Sequence, residues 1–270
     1  MRVVVCAIAR NEHLYINDWI AHYLSIGVDK IYIYDNDTLD SPYLKDIIKS
    51  KFLSKVEIID MRGVEKKYFQ QWCYNDFYAT HNFDWCLFCD IDEFLFGVSY
   101  IKLWLELPYF RKTNQIRIKW RLFGDDNLIE RDMSKPVYKV FKKIITKSLD
   151  RNLNSKGDLE NQGKFILRGG LKNVNICSPH FASYFIRKNV IPSMLPSGKP
   201  CCSQIVINED YSKEIVYMHH YMTKSLSEFI NQKLKRNDAV FNESIKLNYF
   251  WRINEKTPQK IEWLKEKGLL

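Results

Sequence analysis

The sequence predicts an α/β protein with a mostly parallel central sheet, flanking helices and a helical C-terminal extension. Three observations carry that reading. Strand-like runs alternate with helix-period segments through the first ninety residues. The run Trp85–Cys89 is apolar throughout, as strands covered by helices on both faces are. After residue 225 the pattern changes to helical spacing with aromatic residues.

The elements follow in order. Val3–Ala7 reads as the first strand. Asn11 can cap a helix whose apolar positions Tyr15, Ile16, Trp19, Ile20, Tyr23 and Leu24 recur at helical spacing, and Gly27 ends it. Lys30–Tyr34 is the second strand, followed by the acidic turn Asp35-Asn36-Asp37. Ser41-Pro42 is a cap followed by proline, opening a short helix through Leu44, Ile47 and Ile48. Val56–Ile59 is the third strand, and a longer helix carries Tyr68, Trp72 and Phe77. Ile116–Trp120 alternates apolar and basic residues, as a strand with one wet face does. Gly124–Asn127 is turn material, and residues 150–163 are polar enough for a loop or lid. Ser225-x-x-Glu228 is a capping box opening a helix with Leu226, Phe229, Ile230 and Leu234. The chain reads as one domain over 1–270, divided into segments 1–97, 98–221 and 222–270.

Composition narrows the function. The chain has 270 residues, 46% of them apolar and 27% charged, which excludes intrinsic disorder. The opening Met1–Ala9 is too short for a signal peptide and runs into Arg10-Asn11-Glu12, so a soluble protein is expected. The seven cysteines are odd in number and scattered, which fits a reducing compartment. Cys86 and Cys89 have CxxC spacing, but on a strand they point to opposite faces, wrong for chelation. A net charge of +9 favours an anionic partner. No nucleic-acid motif accompanies it, so nucleic acid is not expected.

The strongest chemical signal is Asp90-Ile91-Asp92-Glu93, three carboxylates in four residues after a buried strand. Ligands of open α/β sheets bind beyond the carboxyl ends of the strands. Carboxylates this close repel unless cations or hydrogen bonds offset them, and Mg²⁺ or Mn²⁺ would do so while bridging to a phosphate. Ala9-Arg10-Asn11-Glu12 after strand one and Asp35-Asn36-Asp37 after strand two fall on the same rim of a parallel sheet.

These segments also form a set. Cys6-Ala7-Ile8-Ala9-Arg10-Asn11-Glu12 is followed by Trp19-x-x-His22-Tyr23 and Ile31-Tyr32-Ile33-Tyr34-Asp35-Asn36. Trp85-x-x-x-x-Asp90-Ile91-Asp92-Glu93-Phe94, Trp120-x-x-Phe123-Gly124, His180 and His220-Tyr221-x-x-Lys224-Ser225-x-x-Glu228-Phe229 continue it. The set resembles the glycosyltransferases of family 92 and their bacterial relatives.

The resemblance implies a GT-A fold, a nucleotide-sugar donor and a divalent metal, Mn²⁺ or Mg²⁺, at a DxD motif. Asp90 and Asp92 would be the DxD pair and His220 a further metal ligand, with His219 as the competing choice. Ala9, Arg10, Asn11, Glu12, Asp35, Asp90 and Lys224 would bind the donor. Residues 1–97 would bind nucleotide-sugar, and 98–221 would take the acceptor and complete the metal site. An inverting reaction needs a carboxylate base, for which Asp125, Asp126 and Glu93 are candidates. The implied enzyme transfers a hexose from a UDP-linked donor to a glycan or glycolipid of capsule or lipopolysaccharide. It would be cytoplasmic, and the basic helix 225–236 would suit peripheral contact with an anionic membrane. The alternative is a non-catalytic module binding anionic polymer or a membrane surface.

Overall fold

A computed structural model describes residues 1–145, 162–185, 190–201, 214–235 and 246–270. The expected lid at 150–163 lies almost wholly outside them. The alternating pattern of the first ninety residues yields β1 (Val3–Ala9), α1 (Ile16–Ser25), β2 (Lys30–Asp35), α2 (Leu44–Ile47), β3 (Val56–Asp60), α3 (Phe69–Thr80) and β4 (Trp85–Phe88). There follow β5 (Glu93–Phe96), α4 (Ile101–Leu105), β6 (Gln115–Phe123), α5 (Val137–Val140) and β7 (Ile144–Ile145). Next come β8 (Gly163–Arg168), β9 (Val174–Ser178), β10 (Phe181–Tyr184), β11 (Ser193–Met194), β12 (Pro200–Cys201) and β13 (Tyr217–His220). The last elements are α6 (Leu226–Glu228), running on as a π-helical segment Phe229–Lys233, then α7 (Leu247–Trp251) and α8 (Pro258–Glu266).

The main sheet runs β12-β11-β6-β8-β4-β1-β2-β3. β4, β1, β2 and β3 pair in parallel, so their carboxyl ends share one rim. β8 enters antiparallel between β4 and β6. Beyond Lys119, β6 leaves β8 and pairs in parallel with β13, which pairs antiparallel with β5. The result is a mixed α/β fold with a central sheet and flanking helices.

The two faces of the sheet are separate cores. Alternation along β1 sends Val3, Val5 and Ala7 to one face, against Trp19, Ile20 and Tyr23 of α1. Val4 and Cys6 go to the other, with Cys73, Tyr74 and Phe77 of α3. Cys89 lies in the first core and Cys86 in the second, opposite faces as their spacing requires. Cys6, Cys73, Cys86, Cys89 and Cys177 are free thiols.

Several local expectations are corrected. Asn11 does not cap α1: it takes a left-handed φ of 57°, and Tyr15 is the N-cap. Nor does Ser41 cap α2, where Tyr43 stands, because the Ser41 hydroxyl is engaged with Thr38 at 2.8 Å. Gly27 does follow α1, with a φ of 92° that favours glycine, and a Cβ there would strike the Tyr100 ring. β6 has no wet face over Arg117, which is 1% exposed with its guanidinium 5.3 Å from the Phe181 ring centroid. β9 and β10 cover that side, which alternation within one strand cannot foretell. The capping box at Ser225 is present with both reciprocal bonds. The apolar stripe Leu226, Phe229 and Ile230 packs on Phe250 and Leu264. That stripe is therefore core, not a membrane face. Among the described residues, no helix is long and apolar enough to cross a membrane.

Candidate functional site

The turn after β4 is fixed from beneath by α1. Trp19 and Tyr23 are one helical turn apart and so share a face. The Trp19 indole donates to the carbonyls of Asp90 (3.0 Å) and Glu93 (2.9 Å), and the Tyr23 hydroxyl donates to that of Glu93 (3.0 Å). Glu93 is fully enclosed. Its carboxylate accepts the Asp90 N–H at 2.8 Å and the Trp120 indole N–H at 2.7 Å. Burial pushes the Glu93 carboxyl well above its ordinary range, opposed by Lys164 at 3.6 Å and reinforced by Asp90 and Asp92.

Asp90 and Asp92 project from this turn into a cluster of ammonium groups. Asp90 accepts from Lys164 of β8 at 2.8 Å and from the side-chain amide of Gln70 on α3. Asp92 Oδ2 lies 3.1 Å from Lys233 Nζ and 3.8 Å from Lys224 Nζ, and its Oδ1 is 3.4 Å from His220 Nε2. Burial works against ionisation of Asp92. Lys233, His220 and Lys224 outweigh it and hold the carboxyl well below the usual range. Asp90 is likewise lowered against its burial, chiefly by Lys164. Its side chain is 33% exposed, so the cluster opens to solvent at Asp90.

The pleat of β13 separates the two late histidines. His220 faces Asp92 and the Trp120 ring, with its Nδ1 3.8 Å from Glu93 Oε1. His219 faces the other way, stacked on Phe96 at 4.4 Å and near Phe123. Burial lowers the pKa of both, His219 to about 3, while Asp92 opposes the shift in His220. His180 also borders the cluster. Its Nδ1 meets the Gly163 carbonyl at 2.9 Å, and burial together with Lys164 lowers it to about 3.

The loops after β1 and β2 reach the same rim. Ala9 is buried and its carbonyl accepts the Asn36 N–H at 2.9 Å, while the Asn11 N–H meets both oxygens of Asp37 at 3.1 Å. The Asn11 side chain donates to the Gln232 carbonyl at 2.9 Å, and Glu12 Oε2 is 4.0 Å from Lys224 Nζ. Arg10 is half-buried in this loop. Asp35 is fully enclosed and accepts the N–H groups of Asp37 and Leu44, both at 3.2 Å, so it shapes its own turn.

Asp125 and Asp126 are held elsewhere. Asp125 is buried against Lys260 and accepts the Asn127 N–H at 3.0 Å. Asp126 accepts the N–H groups of Lys142 (2.7 Å) and Lys143 (2.9 Å). None of these partners belongs to the Asp90–Asp92 cluster.

Sequence reasoning missed Lys164, Lys233 and Gln70. Lys164 arrives by the antiparallel pairing of β8, and Lys233 by a π-helical register in which the Leu234 N–H bonds the Phe229 carbonyl at 3.0 Å. Neither feature leaves a local pattern. Lys233 had a partial signal, since it stands eight residues after the Ser225 cap and so returns near that face. The donor set also bears on the expected metal. Among the described residues no group of three or more His, Cys, Asp or Glu is placed to hold one. The Asp92 oxygens face two ammonium groups and an imidazole instead, an arrangement that does not fit a divalent ion.

Carboxylates and lysines gathered beyond the ends of parallel strands define an α/β protein with a polar-ligand site at its strand ends. The chain belongs to glycosyltransferase family 92, whose profile matches residues 2–257. No match was found among curated proteins. Solved structures give partial likenesses. A mannosyltransferase from Pyrobaculum calidifontis, in complex with GDP-Man and Mn²⁺, is 11% identical over 43% of this chain and 35% of its own, with a TM-score of 0.33. TarS 1–349 of S. aureus with UDP-GlcNAc is 12% identical over 48% and 39%, TM-score 0.37. Mannosyl-3-phosphoglycerate synthase from Rubrobacter xylanophilus is 14% identical over 62% and 53%, TM-score 0.36. The chain thus spans between 35% and 53% of the length of these three.

Proposed function

We propose that this chain is a GT-A-type enzyme that transfers a hexose from a UDP-sugar to a glycan or glycolipid acceptor in cell-surface polysaccharide assembly. Family membership supports the reaction class. The observation that carries the site is the convergence on Asp92 of Lys224 and Lys233, with Glu12 from the loop after β1 at 4.0 Å from Lys224. In this reading the loop Ala9–Glu12 and the turn at Asp35 border the nucleoside. Lys224 faces the diphosphate and stabilises it as the leaving group, a charge that grows in the transition state. Glu93, enclosed and doubly hydrogen-bonded, holds the turn rather than touching substrate.

The test is a thermal-shift panel of UDP, GDP, CMP and several UDP-sugars on the wild type and Asp92→Ala, followed by assay of UDP release with glycan acceptors. The proposal expects UDP and one UDP-sugar to raise the melting temperature, because a ligand of the native state stabilises it. It expects the variant to lose UDP release. No shift with any nucleotide would overturn it in favour of a non-catalytic module.

A further inference from the structure

We infer that Lys224 and Lys233 together do at Asp92 what a divalent cation does in a DxD site, holding the donor's diphosphate so that nucleotide binds without metal. The inference rests on the transferase reading and concerns the same site.

Two ammonium groups converge on one carboxylate oxygen, Lys233 at 3.1 Å and Lys224 at 3.8 Å from Asp92 Oδ2. Together they carry the charge of one divalent ion, and they face two carboxylates, Asp92 and, 4.0 Å from Lys224, Glu12. Both lysines are buried, Lys224 to 5% exposure and Lys233 to 9%. Buried ammonium groups are stable only when paired and hydrogen-bonded. Lys233 donates to Asp92 and to the Met222 carbonyl, which leaves the third of its N–H groups for a ligand. Lys224 stands 3.8 Å from Asp92, 4.0 Å from Glu12 and 4.0 Å above the Tyr15 ring, so both its carboxylates lie outside hydrogen-bond reach. A diphosphate oxygen between the two lysines would supply what each lacks.

The backbone is shaped to deliver both side chains. Lys224 takes a φ of +57°, a left-handed conformation that costs a non-glycine residue energy. Lys233 ends a π-helical segment, a rare register that recurs at functional sites. Between them, the Ser225–Glu228 capping box fixes the helix start. Glu228 is itself held by Arg131 at 2.5 Å and by the Tyr15 hydroxyl at 3.1 Å, so its charge is already answered.

The experiment is calorimetric titration of UDP into the full chain, in EDTA and in Mn²⁺, on the wild type, Lys233→Met, Lys224→Met and Lys233→Arg. Melting curves of each variant confirm that it is folded. The inference expects wild-type affinity in EDTA to lie within about twofold of that in Mn²⁺. Each Met variant should bind UDP roughly ten- to a hundredfold more weakly in EDTA, the loss of one charge-assisted hydrogen bond, and Lys233→Arg should retain most of the affinity. Wild-type binding that requires Mn²⁺ would overturn the inference and leave the transferase reading standing. So would Met variants that bind UDP unchanged or more tightly. No UDP binding in either buffer would overturn both.

Discussion

Replacing Asp92 by Asn keeps the size of the side chain and one of its two acceptor oxygens but removes the charge facing Lys224 and Lys233. At an effective dielectric near 20, unit charges at the observed 3.1 and 3.8 Å attract by about 5 and about 4 kcal/mol. Desolvation returns much of that, and removing one partner of a buried pair costs about 3–5 kcal/mol net. The protein can limit the loss by deprotonating Lys224. From its ordinary pKa of 10.5 that costs about 5 kcal/mol at pH 7 and only about 2 kcal/mol at pH 9. Burial already lowers the Lys224 pKa, with Glu12 and Asp92 opposing. Between its folded and unfolded values the native state binds fewer protons, so this group makes stability rise with pH. Without Asp92 the folded value drops further and the rise is steeper. Asp92 itself is lowered in the fold, so its own contribution is complete above its unfolded value and constant from pH 7 to 9. Urea unfolding of both proteins should therefore show a deficit of about 3–5 kcal/mol at pH 7, shrinking to about 2 kcal/mol at pH 9. A deficit below about 1 kcal/mol at pH 7, or one that grows with pH, would show that the two lysines do not depend on the Asp92 charge.

Other consequences are open to simple measurements. His22 is buried and lowered from 6.5 to about 4, so its unfolded form binds the extra proton and stability is lost as pH falls through that window. From pH 7 to 5 this one residue should cost about 2 kcal/mol, read by urea unfolding and abolished in a stable His22→Gln variant. Trp19→Phe keeps an aromatic ring but removes the indole donor shared by the carbonyls of Asp90 and Glu93, which keep the Glu93 N–H and the Tyr23 hydroxyl, and should cost about 1 kcal/mol. An unchanged melting temperature would show that the indole does not fix the turn. Ser225→Ala removes the capping box, for about 1 kcal/mol by chemical denaturation. Gly163→Ala would put a Cβ 1.9 Å from the Ile118 carbonyl, so soluble expression at wild-type level would contradict the close pairing of β8 with β6.

What could be read in advance was what periodicity and strand ends report. β1 to β4 and the Asp90-Ile91-Asp92-Glu93 turn follow from local patterns, and parallel pairing puts their ends on one rim. Lys164 was not legible because it reaches Asp90 from seventy-four residues away, through the pairing of β8 with β4, and nothing near Lys164 records that pairing. Arg117 looked solvent-facing for a similar reason, since the cover over its strand comes from β9 and β10. Asp35, Asp125 and Asp126 show the opposite difficulty. Carboxylates in turns bind nearby backbone N–H groups as readily as ligands, and each of these does so. Adjacency in the chain could not choose between His219 and His220, whereas the pleat of β13 turns His220 toward Asp92.

A nucleotide-sugar donor should bind at the rim formed by Ala9–Glu12, Asp90–Glu93 and the segment from His220 to Lys233. Hydrogen exchange of the full chain, with and without saturating UDP, reads that rim amide by amide. Exchange should slow in those three segments, while amides of β9 and β10 stay unchanged. Protection confined to other regions of the chain, or none at any UDP concentration, would place the donor elsewhere or remove it altogether.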